Sequence, residues 1–193
     1  MTMFLALLMA QATPADRSYP LEIVLNESRD TCALLLDPER ADEGFADRGW
    51  RPISVEPSGW LADYVQSNRQ IGPTLDMSAY DALLEKRVSD RNLILYVFGL
   101  APRTSTERNW ASCEVIDLAA AGPISEADVV RWAGREPMPG LPFGNNILLR
   151  WVPSLTEGAA DSSVTFSPVN SPLARIRPGL IYTLVMPPRP ETQ

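Results

Sequence analysis

Leu93-Ile94-Leu95-Tyr96-Val97-Phe98 is the stretch on which the fold turns. Side chains alternate along a strand, so Leu93, Leu95 and Val97 share one face and Ile94, Tyr96 and Phe98 share the other. Both faces are apolar and both need cover, which is the pattern of a central strand rather than a half-solvated edge. The run is too short for a buried helix. Asp90-Arg91-Asn92 before it, and Gly99 and Pro102 after it, are residues that bound strands. Ser112-Cys113-Glu114-Val115-Ile116-Asp117 reads as the antiparallel return. Cys113 and Val115 share one face of it and Glu114 and Ile116 the other, so Glu114 and Asp117 point opposite ways. The connection, residues 103–109, is polar and longer than a usual hairpin loop. Arg103 and Arg108 in it and Trp110 after it are therefore candidate binding side chains, although a hydrated hairpin tip is the plainer reading.

Working outward toward the N-terminus, Leu21, Leu25, Cys32 and Leu35 or Leu36 line one face of a helix. That face aims Cys32 at the sheet that carries Cys113. Asp37-Pro38 predicts the start of a second helix, with Asp37 as cap and Pro38 in its first turn, and Gly49 predicts its end. Residues 60–67 read as a short helix with Leu61, Tyr64 and Val65 inward. Asp76 reads as the cap of a helix over Met77 to Val88, with Tyr80, Leu83 and Leu84 on its inner side. Toward the C-terminus, Ser125 and Asp128 form a capping pair for a helix running to about Trp132 and stopped by Gly134. Pro137, Pro139 and Pro142 exclude helix and regular strand over 136–144. Strands are predicted at 146–152, with Ile147, Leu149 and Trp151 on one face, around Val164 and Phe166, and at 180–186. Strands fall in adjacent pairs rather than alternating with helices. The expected class is α+β: an antiparallel sheet of about four to five strands with N-terminal helices packed on one face. No internal repeat is visible.

At 193 residues the chain is the size of one domain, placed at residues 21–186. Residues 3–10 are apolar and Ala10-Gln11-Ala12 fits a small-x-small cleavage pattern, so residues 1–12 read as a signal peptide, though without a basic n-region. A first helix or strand buried in the fold is the competing reading. The run is far below the ~20 residues that span a bilayer. Residues 13–20 follow as a flexible leader, and 187–193 as a disordered tail. Cys32 and Cys113 match neither a redox CxxC nor a zinc knuckle. In an oxidising compartment they would pair, closing a loop worth up to ~4.5 kcal/mol on the chain-entropy model. In a cytoplasmic chain they would be free buried thiols.

Net charge is −7, with 15 acids against 9 bases through Arg91. An acidic chain without a basic run is poorly suited to nucleic acid. Histidine is absent, which excludes Ser-His-Asp and Cys-His mechanisms and any His-containing zinc site. No Gly-x-Ser-x-Gly elbow and no Gly-rich phosphate loop occurs. Asp76, Asp81, Glu114, Asp117 and Asp128 are the carboxylates available for acid–base work. Met138, Leu141 and Phe143, on the proline-rich segment, are candidates for an apolar contact with a partner protein, unless they fold back over the core. No cofactor and no metal site is expected. The expectation is a periplasmic or secreted, non-catalytic domain that binds a protein or cell-envelope component, with no membrane span in the mature chain. The alternatives are a small carboxylate-dependent hydrolase and a cytoplasmic α+β domain with free buried thiols.

Overall fold

The structure is a computed structural model, described over residues 19–53, 58–71, 77–102, 110–140, 144–175 and 177–187. The segments read as signal peptide and tail lie outside this range, apart from Pro187, as does most of the leader.

Seven strands form one antiparallel sheet among the described residues: β1 Arg51–Pro52, β2 Met77–Val88, β3 Arg91–Pro102, β4 Trp110–Asp117, β5 Ile147–Trp151, β6 Asp161–Ser167 and β7 Gly179–Val185. Their order is β1-β2-β3-β4-β7-β6-β5. The sheet is thus two three-stranded meanders, β2–β4 and β5–β7, joined where β4 pairs with β7, with the short β1 added to the edge of β2. The expected α+β class and antiparallel sheet are present, but the sheet is larger than the four to five strands anticipated.

The difference begins at β2. Its Leu83 and Leu84 sit at a spacing that suits a helix as well as a strand, and a cap-like Asp76 precedes them. The segment instead pairs with β3 from Met77↔Pro102 to Val88↔Arg91. Two-residue closure at Ser89-Asp90, with Ser89 at φ 56°, makes this hairpin tight. A central strand needs a partner on each side, and β4 supplies only one. Tertiary pairing therefore overrides the helical spacing.

Helices cover both faces of the sheet, not one. On the first face lie α1 Leu21–Cys32, a 3-10 turn Ala33–Leu36, α2 Ala41–Asp47 and α4 Glu126–Ala133. They bury Val24, Leu25, Leu35, Phe45 and Val129 against Leu93, Leu95, Val97, Val115, Tyr182 and Leu184. Each fully buried side chain of this size removes about 1.5–3 kcal/mol of exposure cost. On the second face lies α3 Trp60–Arg69, which sets Leu61 and Val65 against Tyr96, Phe98, Ile116 and Ile181. Nor are the helices all N-terminal, since α4 separates the two meanders.

Local signals place these elements. α2 starts at Ala41, later than Asp37-Pro38 suggested, and ends at Asp47, with Gly49 beyond it at φ 82°. The Trp50 N–H bonds the Phe45 carbonyl (3.0 Å) and the Gly49 N–H that of Ala46 (2.9 Å), which is a Schellman closure. At α4 the Ser125 Oγ accepts from the Asp128 N–H (3.1 Å) and donates to its carboxylate (2.5 Å). Gly179 opens β7 at φ 75°, where a Cβ would lie 2.0 Å from the Asp117 carbonyl oxygen. Only glycine lets β7 start that close to β4.

Cys32, at the end of α1, is joined to Cys113 of β4 by a disulfide with the Cα atoms 5.5 Å apart. Both residues are fully buried. The helical spacing upstream and the strand parity downstream both pointed at this contact. No helix among the described residues is long and apolar enough to cross a membrane.

Candidate functional site

Three buried or half-buried carboxylates are the groups with potential for chemistry. Glu114 projects from β4 toward α3. Its Oε2 accepts from the Tyr64 hydroxyl (2.7 Å), and its Oε1 accepts from Arg177 Nη2 (2.9 Å) and the Thr183 hydroxyl (3.3 Å). Trp60 stacks on the Tyr64 ring at 4.9 Å. Burial, and then the Glu114 charge, push the Tyr64 phenol up from its ordinary value. A phenol held protonated against a carboxylate is a hydrogen-bond donor, not an activated nucleophile.

Asp117 lies three residues on and faces the other side of the sheet, as parity requires. Its side chain has no exposed area. It accepts from the Tyr19 hydroxyl (2.8 Å), from Arg91 Nε (2.8 Å) and Nη2 (3.2 Å), and from the Ala119 N–H (3.0 Å). The Arg91 guanidinium also sits 5.2 Å from the Tyr19 ring centre. Tyr19 falls in the span read as a leader, yet here it ties the start of α1 to the end of β4. Desolvation, and then Asp117, raise its pKa. Glu27 of α1 forms the third cluster. It binds Lys86 Nζ (2.7 Å), the chain's one lysine, and accepts from Thr31 (2.9 Å), whose hydroxyl in turn accepts from the Trp50 indole N–H (3.0 Å).

Each of these carboxylates faces a cation and at least one hydroxyl, which is how buried charge is accommodated in a structural role. The remaining candidates are held too. Asp81 is bonded by Arg69 (3.0 Å), and Asp128 caps α4, where Ser125 and then Arg131 hold its carboxyl below the usual range. Asp76 lies outside the described residues. A groove of about 830 Å³ opens between the starts of α1 and α4, lined in part by Tyr19, Ile23, Ile124, Arg131 and Trp132. Its lining carboxylates are Glu22 and the exposed capping Asp128. No group of three or more metal-ligating side chains occurs among the described residues.

The loop candidates Arg103 and Arg108 lie outside the described residues. Trp110 opens β4, where its backbone pairs with Gly99. Leu141 and Phe143 lie outside the described residues, but Met138 is visible and 48% exposed. Its N–H bonds the Arg150 carbonyl (2.7 Å), so the proline-rich segment runs along the outer edge of β5. Pro137 and Pro139 flank that bond and offer no N–H for a further strand, which blunts the sheet edge. Leu148 and Arg150 take the outward positions of β5, with Val152 just beyond the strand and Met138 beside it. Leu148 is 46% and Val152 48% exposed. Arg150, between Leu148 and Val152 in the chain, is paired with Asp161.

Sequence reasoning found Met138 but missed Leu148 and Val152. Their signal was present: Leu148 on β5 and Val152 just after it fall out of step with the inward Ile147, Leu149 and Trp151, where a polar residue is the rule. It also missed Arg177 and Tyr64 as partners of Glu114, because no local pattern joins residues so distant in the chain. The chain shows no significant match to any family model, any curated protein or any solved structure.

Proposed function

We propose that this is a non-catalytic, extracytoplasmic domain that binds a protein partner through the edge formed by Met138, Leu148 and Val152. The observation that carries the reading is this exposed apolar trio on a strand edge already blunted against strand addition. A partner would bury the trio by side-chain contact, not by extending the sheet. Two features support the rest. The buried carboxylates are each satisfied by a cation and hydroxyl donors, which argues against the hydrolase alternative. A buried disulfide suits an oxidising compartment and argues against free cytoplasmic thiols.

The test is photo-crosslinking in the producing cells, with the reactive group placed at Leu148 or, as a control, at Ile23, an exposed apolar residue of α1 in the groove facing α4. A discrete adduct at 148 that is lost in a Met138→Asp background, with none at 23, is the expected result. Equal labelling at the two positions would remove the edge as a binding site.

A further inference from the structure

We infer that the Cys32–Cys113 bond is made before the fold closes, by thiol–disulfide exchange with a disulfide donor, and that the finished domain offers neither sulfur to any later redox partner. The inference is independent of the binding edge. Both cysteines have 0% exposure, and Cys113 sits mid-strand between Val97 of β3 and Leu184 of β7, each also 0% exposed. Exchange needs a thiolate to approach a sulfur directly. An apolar surrounding also disfavours the thiolate itself. Native packing blocks both requirements.

The order of the chain says when the window shuts. α1 packs across β4 and β7 together. β7 is the last strand in sequence, so Cys113 keeps an open flank until residues 179–185 have paired with β4. Until then a thiolate of one cysteine can attack the donor disulfide, forming a mixed disulfide and releasing one donor thiolate. The second cysteine thiolate then attacks the chain sulfur of that mixed disulfide. The Cys32–Cys113 bond forms, and the donor is released as two thiol groups that carry the two electrons and take up, through solvent, the two protons the cysteines gave up.

Full-length protein, reduced and unfolded, is refolded with oxidised glutathione as the donor, added either at the start or after the native near-ultraviolet signal has returned. Bond formation is counted by alkylation and intact mass. Early addition is expected to close the bond, and late addition to close it at least a hundredfold more slowly. A reduced chain that never regains the native signal without oxidant also supports the inference, since oxidation then precedes folding outright. Comparable rates for early and late addition would overturn it. A second measurement needs no refolding. Oxidised native protein is expected to resist a phosphine reductant in buffer and to yield only in urea, and reduction at similar rates in both would again overturn the inference.

Discussion

The two faces of the sheet solve the same problem with different means. On the α1 side three helices and a 3-10 turn build a continuous apolar cluster, closed by a disulfide. On the α3 side one helix sets its own Leu61 and Val65 against four buried sheet residues, and beside them a buried glutamate is held by a phenol, a guanidinium and a hydroxyl. The contrast teaches where stability resides. The first face combines area and chain connectivity with two charge clusters of its own, Asp117 with Arg91 and Tyr19, and Glu27 with Lys86. The second depends on a charge network, which is worth little net but is costly to break on one side only.

Four measurements break or sharpen that contrast. Replacing both Cys32 and Cys113 by alanine should cost the most, up to ~4.5 kcal/mol from the lost cross-link over 81 residues, read as a lowered urea midpoint. A loss below ~1 kcal/mol would mean that the first face does not need its bridge. Leu25→Ala, at a fully buried position under the same face, should cost about 3 kcal/mol through transfer and cavity terms. On the second face, Glu114→Ala should cost about 2 kcal/mol, short of a fully buried pair because the Arg177 side chain is 34% exposed. An Asp at 114 that failed to recover any stability would show the charge to be unimportant there.

The smallest effect is the part of the pH dependence that Tyr64 carries. Folding raises the Tyr64 pKa above its ordinary value, so the folded state holds the phenol proton more tightly than the unfolded state. Its contribution is therefore complete below about pH 10 and is lost as pH rises beyond that. Tyr64→Phe should cost about 1 kcal/mol at neutral pH and flatten the fall in stability above pH 10. With no histidine in the chain, stability should be level from about pH 6 to pH 9. An unchanged alkaline slope in Tyr64→Phe would place the sensitivity at the other buried phenols whose pKa is raised, Tyr19, Tyr96 and Tyr182.

Much of the first face was legible in the sequence because its signals are local. The 93–98 run, the parity of Cys113, the spacing that ends at Cys32 and the Ser125–Asp128 cap each need only a few neighbouring residues. The second face was harder. Both sides of the 93–98 run are apolar, which already requires cover on each, yet helices were expected on one side only because most of the apolar helical spacing points to one cluster. Met77–Val88 was misread for a related reason. A strand whose inner positions include Ala79 and Asp81 lacks a clean apolar alternation, and its identity comes from β3, its partner. Glu114 met its partners through Tyr64 and Arg177, 50 and 63 residues away. No window of sequence contains both.

The claim beneath all of this is that α1 is bonded through sulfur to the central sheet in the protein as its cell makes it. The direct measurement is the intact mass of protein taken from the producing cells into acid, then alkylated under denaturing conditions without reductant. The predicted result is a chain two hydrogens lighter than its reduced mass and carrying no alkyl group. A chain carrying two alkyl groups would contradict the bonded face, the oxidising compartment and the order of folding together.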